Sequence, residues 1–150
     1  MRLTILALSS LALVAAAPAP ADRQQLEQLA ALNDHYWNEK DVERISGQYA
    51  DDATVRIGHA QVLQGKAGIR AFFAAAFSRR EGEFRHVSKV EHLEVVSPDL
   101  VLADNHVRVE RADGKGGWAP VREFRTNSLA VRDGATWKLR AVRGHPLAPQ

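Results

Sequence analysis

The chain has 150 residues, 45% of them apolar and 25% charged, with a formal net charge of +2 and no cysteine. That length suits one domain and excludes a second core, the composition excludes disordered and fibrous classes, and the missing thiols exclude disulfides, thiolate metal sites and a lipid-bearing cysteine. Among the basic residues only Arg79 and Arg80 adjoin, so no concentrated basic face is available and a nucleic-acid partner is excluded.

Residues 1–21 open with Arg2, run apolar from Leu3 to Ala17 and end with Ala19 and Ala21 in an A-x-A arrangement before Asp22. This predicts a cleaved secretory signal, a domain over 22–145 and a short tail over 146–150. The apolar run is shorter than the roughly 18 residues a spanning helix needs. The mature protein is therefore expected to be periplasmic or secreted, with no membrane association after cleavage.

From Asp22 to Glu39, apolar residues recur at Leu26, Leu29, Ala30, Leu32, Tyr36 and Trp37, the three-and-four spacing of an amphipathic helix, and Asn33 interrupts the stripe. Asp41 is a good N-cap for a second helix whose inward face is Val42, Ile45 and Tyr49. "DDATVRI" reads as a short strand. After "GKAG", Ile69, Phe72, Phe73, Ala76 and Phe77 form the clearest helical stripe in the chain. The glycines there open a turn; the segment lacks the spacing of a phosphate loop, and no nucleotide follows from it. Beyond Arg80 the period changes towards two, in four runs ending at Ser97-Pro98-Asp99, "DGKGG", Asp133-Gly134 and the proline-flanked tail. Three N-terminal helices before a four-strand meander predict an α+β fold, with the helices packed on one face of a cone-shaped, curved antiparallel sheet.

Strand alternation then assigns side chains to faces. In "LVLADNHVRV", Val101, Ala103, Asn105, Val107 and Val109 share the apolar face, which leaves Asp104 and His106 pointing outwards and makes Asn105 a lone polar group in the interior. Buried, it is either a structural hydrogen-bond anchor or a ligand contact. In the last strand, strict alternation puts Trp137, Leu139, Ala141, Arg143 and His145 on one face, where Arg143 would offer donors to an anionic or carbonyl oxygen. His86 and His92, six residues apart, fall nominally on one face but about 20 Å from each other, too far to share an ion. They are expected to face solvent or an interface. No metal site and no cofactor are indicated.

The succession "HYWNEKDVERISGQYADDATV", "LQGKAGIRAFFAAAF", "EVVSPDLVLADNHVRV" and "SLAVRDGATWKLRAVRGHP" resembles the SnoaL-like branch of the nuclear transport factor 2-like superfamily over nearly all of the mature chain. The resemblance implies a cone of bent sheet around the long first helix, an apolar pocket at its wide end and a homodimer formed through the outer sheet face. It does not fix an activity, because this superfamily hosts isomerases, cyclases, hydratases, dehydratases and non-catalytic binders. It implies that the end of helix one, with Tyr36 and Trp37, forms part of the pocket wall. In the steroid-isomerase relatives a tyrosine on this helix donates to an oxyanion, and Tyr36 has that type. Many similar proteins carry a histidine six residues after the Trp of the last strand; here Arg143 stands there, with His145 two further on.

Three readings follow. In the first, the cone binds a small, mainly apolar molecule without an assignable reaction, through Asn33, Trp37, Tyr49, Asn105, Arg143 and His145. In the second, it is an acid-base isomerase, cyclase or dehydratase acting on a small carbonyl compound, with Tyr36, His145 and Asp104 as candidate catalytic groups. In the third, an outer face carrying Leu102, His106, Phe124 and Thr126 assembles dimers and no ligand is bound.

Overall fold

A computed structural model describes residues 17–147. Most of the expected signal segment and the end of the tail lie outside the described residues. Helix α1 (Pro20–Asn38) starts with proline in its first turn, where a fixed φ costs nothing and no N–H is missed, and Asp22 adds a carboxylate at the positive end of the helix. Just past its end, Lys40 adopts a φ of +58° that turns the chain sharply. Asp41 then caps α2 (Val42–Gly47) by accepting a hydrogen bond from the Arg44 amide at 2.9 Å. Tyr49, expected on the face of α2, instead begins β1 (Tyr49–Ile57). A two-residue strand β2 (Leu63–Gln64) leads into α3 (Gly65–Ser78), where Gly65 adopts a φ of +69° that a side chain would resist.

Four long strands follow: β3 (Phe84–Ser97), β4 (Leu100–Ala112), β5 (Trp118–Asp133) and β6 (Thr136–Pro146). The curved sheet has the order β2-β1-β6-β5-β4-β3, so β3 is an edge strand. The α+β plan stands, and the sheet is mixed because β1 runs parallel to β6 while β3 to β6 form the antiparallel meander. The Asp133-Gly134 turn closes the last hairpin as expected, with Gly134 at a φ of +60°.

Register shifts decide which residues face inwards. The pairing skips one residue at Glu91 in β3, at Val121 in β5 and at Arg140 in β6. Each skip is a β-bulge, which bends the strand and reverses the alternation beyond it. In β6, therefore, Trp137 and Leu139 face the helices, but past the bulge it is Val142 and Gly144 that do so. The expected shared face of Trp137, Leu139, Ala141, Arg143 and His145 is corrected: the last three turn to the convex side. The same device in β3 puts His86 and His92 on opposite faces rather than one.

Two apolar clusters hold the molecule together. One packs Leu26 and Leu29 of α1 against Leu93, Val101, Ala130 and Trp137; the other gathers Ile45, Tyr49, Val55, Ile69, Phe73 and Phe77 under α3. The first is closed at its end by Asp22, whose carboxylate accepts from Arg132 at 2.9 Å and from the Trp137 indole at 3.3 Å. Ile69 is wholly buried, whereas Phe72, on the same helical stripe, is 44% exposed. Ile69→Ala is expected to lower unfolding stability by about 2–5 kcal/mol, and Phe72→Ala by less than about 1 kcal/mol, in urea melts. Equal losses would show that α3 packs with its whole stripe.

Candidate functional site

Between the two clusters the interior is not filled. A cavity of about 880 Å³ runs along the concave face of the sheet, with α1 and α3 closing its sides. Its walls combine apolar side chains such as Leu29, Phe73, Phe77, Val107 and Leu139 with a small set of polar groups. That size and mixture match a site for a small organic molecule, where apolar surface supplies affinity and a few polar groups fix orientation. The partly exposed Phe72 and Val121 stand on its wall and mark where it meets solvent.

The most organised polar group lies where α1 meets β3. Asp34 is a poor fit to a solvent-facing role: it sits four residues after Ala30 and eight after Leu26, within the buried stripe. One of its carboxylate oxygens lies 2.6 Å from His86 Nδ1 and accepts from Ser88 Oγ at 2.7 Å, while the other accepts from the Ser88 amide at 2.6 Å. A carboxylate only accepts, so the proton of the His86–Asp34 bond belongs to Nδ1, and in the neutral ring Nε2 keeps its lone pair. One turn later, Asn38 takes the His86 amide on its Oδ1 at 2.6 Å and donates to the His86 carbonyl at 3.2 Å. Trp37 lies against the imidazole, ring centres 5.3 Å apart. His86 is thus fixed in backbone, ring plane and tautomer, and it lines the cavity. The expectation that His86 faces solvent or an interface is corrected, since its side chain is only 17% exposed.

Asn33, one residue before Asp34, also lines the cavity, and its amide nitrogen is buried without a partner among the described residues. Tyr49 stands beside it. Burial pushes the Tyr49 phenol up to about 12. Further along the sheet, Asn105 donates weakly to Thr126 Oγ1 at 3.3 Å and Ser128 Oγ at 3.4 Å. It is thereby both a cross-strand anchor and part of the wall.

Of the sequence candidates, Asn33, Trp37, Tyr49 and Asn105 line this cavity, and Arg143 and His145 do not. Arg143 is spent on the convex side, donating to the Thr54 carbonyl at 3.1 Å and to Thr54 Oγ1 at 2.8 Å. His145 is exposed in a neighbouring groove with Arg56 and His59. Tyr36 packs against the α3 cluster with the Arg44 guanidinium 5.9 Å over its ring, away from the cavity wall. Asp104 points outwards as expected and accepts from Asn127 at 2.6 Å. Phe124 and Thr126, expected on the outer face, line the cavity instead, because the strand register in β5 follows Asn105 and Val107. Asp34, His86 and Ser88 were not among the sequence candidates. Among the described residues, no group of three or more His, Cys, Asp and Glu side chains converges as a metal site would need, and no helix is long and apolar enough to cross a membrane.

The profile of the SnoaL-like domain family matches residues 29–138. No curated protein matches the chain. Among solved structures, it is similar to Aln2 from a Streptomyces species, at 19% identity and a TM-score of 0.78 over 86% of this chain and 93% of that one. It is also similar to an NTF2-like protein with a cystatin-like fold from Novosphingobium aromaticivorans (19% identity, TM-score 0.76, 87% and 84% covered). A third is a ketosteroid isomerase-like protein from Erwinia carotovora atroseptica (14% identity, TM-score 0.71, 87% and 100% covered). At these identities the likeness is one of fold.

Tyr49 and Tyr36 are the two tyrosines of the chain. The raised Tyr49 pKa keeps the phenol neutral in the folded state above pH 10, the ordinary value, so its contribution to stability is complete below pH 10 and lost as pH rises towards 12. An alkaline absorbance titration is expected to show one late tyrosine, and Tyr49→Phe to remove that late step; an early, single step for both residues would contradict the buried placement.

Proposed function

The chain belongs to the SnoaL-like domain family, and on that premise we propose that it is an acid-base enzyme, an isomerase or dehydratase class of catalyst, acting on a small, mainly apolar carbonyl compound held in the cone. The observation that carries this reading is His86, anchored at Nδ1 by Asp34 and lining the wall of an apolar cavity, which leaves Nε2 as its reactive nitrogen. A general base needs a lone pair aimed at the substrate and a partner that holds the ring in one tautomer and stabilises it once protonated. Asp34 supplies the second requirement and the cavity the first. Binding without a reaction would not require so constrained an imidazole.

In this reading His86 Nε2 takes a proton from the carbon next to the substrate carbonyl, and the electron pair of that C–H bond moves towards the oxygen. The Asn33 amide, buried without a partner among the described residues, and the neighbouring Tyr49 hydroxyl provide donors for the developing oxyanion. Tyr49 takes the part that the resemblance suggested for Tyr36. The imidazolium then returns its proton, either to another carbon of the enolate, which completes an isomerisation, or to a β-hydroxyl that leaves as water. The ketosteroid isomerase-like protein of similar fold supports this choice of reaction class. Export, argued from the leader-like opening residues, and a homodimer through the convex sheet face, argued from the family resemblance, are part of the same proposal.

The test is proton exchange. Small ketones and β-hydroxy carbonyl compounds incubated with the protein in deuterium oxide should incorporate deuterium at the α-carbon. His86→Gln should slow that exchange by about 10²–10⁴-fold while leaving the melting profile intact. Exchange that survives His86→Gln, or that is no faster with the protein than without it, would overturn the reading.

A further inference from the structure

The cavity walls carry charge of one sign. Among the residues that line it are three arginines, Arg80, Arg111 and Arg122, and the histidine already described, but no aspartate or glutamate. Arg80 is explained by the fold: its guanidinium lies 4.1 Å over the Trp37 ring and donates to the Trp37 and Asn38 carbonyls at 3.1 and 3.2 Å, closing the negative end of α1. Arg111 and Arg122 have no such task, and neither forms an ion pair among the described residues. Of the acids beside them in the register, Glu83 is exposed next to the Phe84–Arg111 rung and two others are committed elsewhere. Glu110 faces the convex side and binds Arg85 at 2.5 Å and Arg108 at 3.3 Å, and Glu123 is 3.2 Å from His106. The adjoining groove, which shares Arg122 with the cavity, adds Arg56, His59 and His145, with Glu123 as its one acid among the described residues.

The sheet register fixes where these two guanidiniums stand. His86 pairs with Val109, and Val109 with Arg122, so His86 and Arg122 occupy one rung across three strands; Arg111 is the next inward position along β4, opposite Phe84. Two interstrand steps span roughly 10 Å. The wall thus has an apolar interior, a base, and, within reach of that base, two arginines at the solvent end.

We propose that Arg111 and Arg122 form an anion subsite, and that the substrate is an amphipathic acid: an apolar body that fills the cone and a carboxylate that stays at its mouth. This rests on the acid-base reading for its reactive end. A planar guanidinium matches a carboxylate bidentately, so two exposed arginines at the mouth without acid partners favour an anion over a neutral isostere of the same size. The carboxylate also sets direction, because only one end of the molecule is anionic.

The experiment compares decanoate with methyl decanoate by calorimetric titration of the full mature protein, without any need for turnover. The acid should bind about tenfold or more tightly than the ester, and raising the salt concentration should weaken the acid alone. In Arg111→Gln/Arg122→Gln the acid should fall to the ester's affinity, and the ester's own affinity should be unchanged. Equal binding of acid and ester by the wild-type protein, or a preference that survives the double substitution, overturns the anion subsite but leaves the cavity and His86 in place. No binding by either compound overturns it together with the reading of the cone as a binding site.

Discussion

The docking of α1 onto the edge strand β3 is the constraint on which the rest depends. An edge strand exposes unpaired N–H and C=O groups, and proteins cover or blunt such edges. Here two side chains one helical turn apart do so: Asp34 takes the Ser88 amide, and Asn38 takes both the amide and the carbonyl of His86. The same carboxylate that satisfies the edge also holds the imidazole. Structural closure and the orientation of the imidazole therefore share one carboxylate.

Closing the edge in this way leaves a space rather than a solid core. The apolar clusters form at two places, one where α1 meets the narrow part of the sheet and one beneath α3, and the cavity of about 880 Å³ separates them. Native interiors usually fill to close packing, and unfilled apolar volume lowers stability. The void is lined by both clusters, with an unpartnered amide at Asn33 among the described residues and a constrained histidine, which supports the proposed role as a binding site. The bulges that bend the sheet make this possible, since a flat sheet could not wrap the helix and stand away from it at once.

Much of this was legible in the sequence where periodicity is local. The stripe of Ile69, Phe73 and Phe77, the cap at Asp41, the final hairpin and the alternation that brings Asn105 inwards all follow from spacing within one element. The site was less legible because it depends on parity across bulges. One extra residue at Glu91 separates His86 from His92, and one at Arg140 sends Arg143 and His145 to the convex side; a run of alternating residues carries no mark of the position at which it slips. Asp34 had a visible signal, since it shares a helical face with Leu26 and Ala30, but a single carboxylate beside Asn33 does not name its partner. That partner lies 52 residues further along the chain, and only the fold brings the two together.

The nitrogen chemistry of one imidazole tests this account most directly. In an NMR experiment on protein labelled with nitrogen-15 at histidine, the neutral form of His86 should carry its proton on Nδ1 and a bare Nε2. A neutral His86 protonated at Nε2 would mean that Asp34 does not receive its hydrogen bond, and the proposed base would be lost.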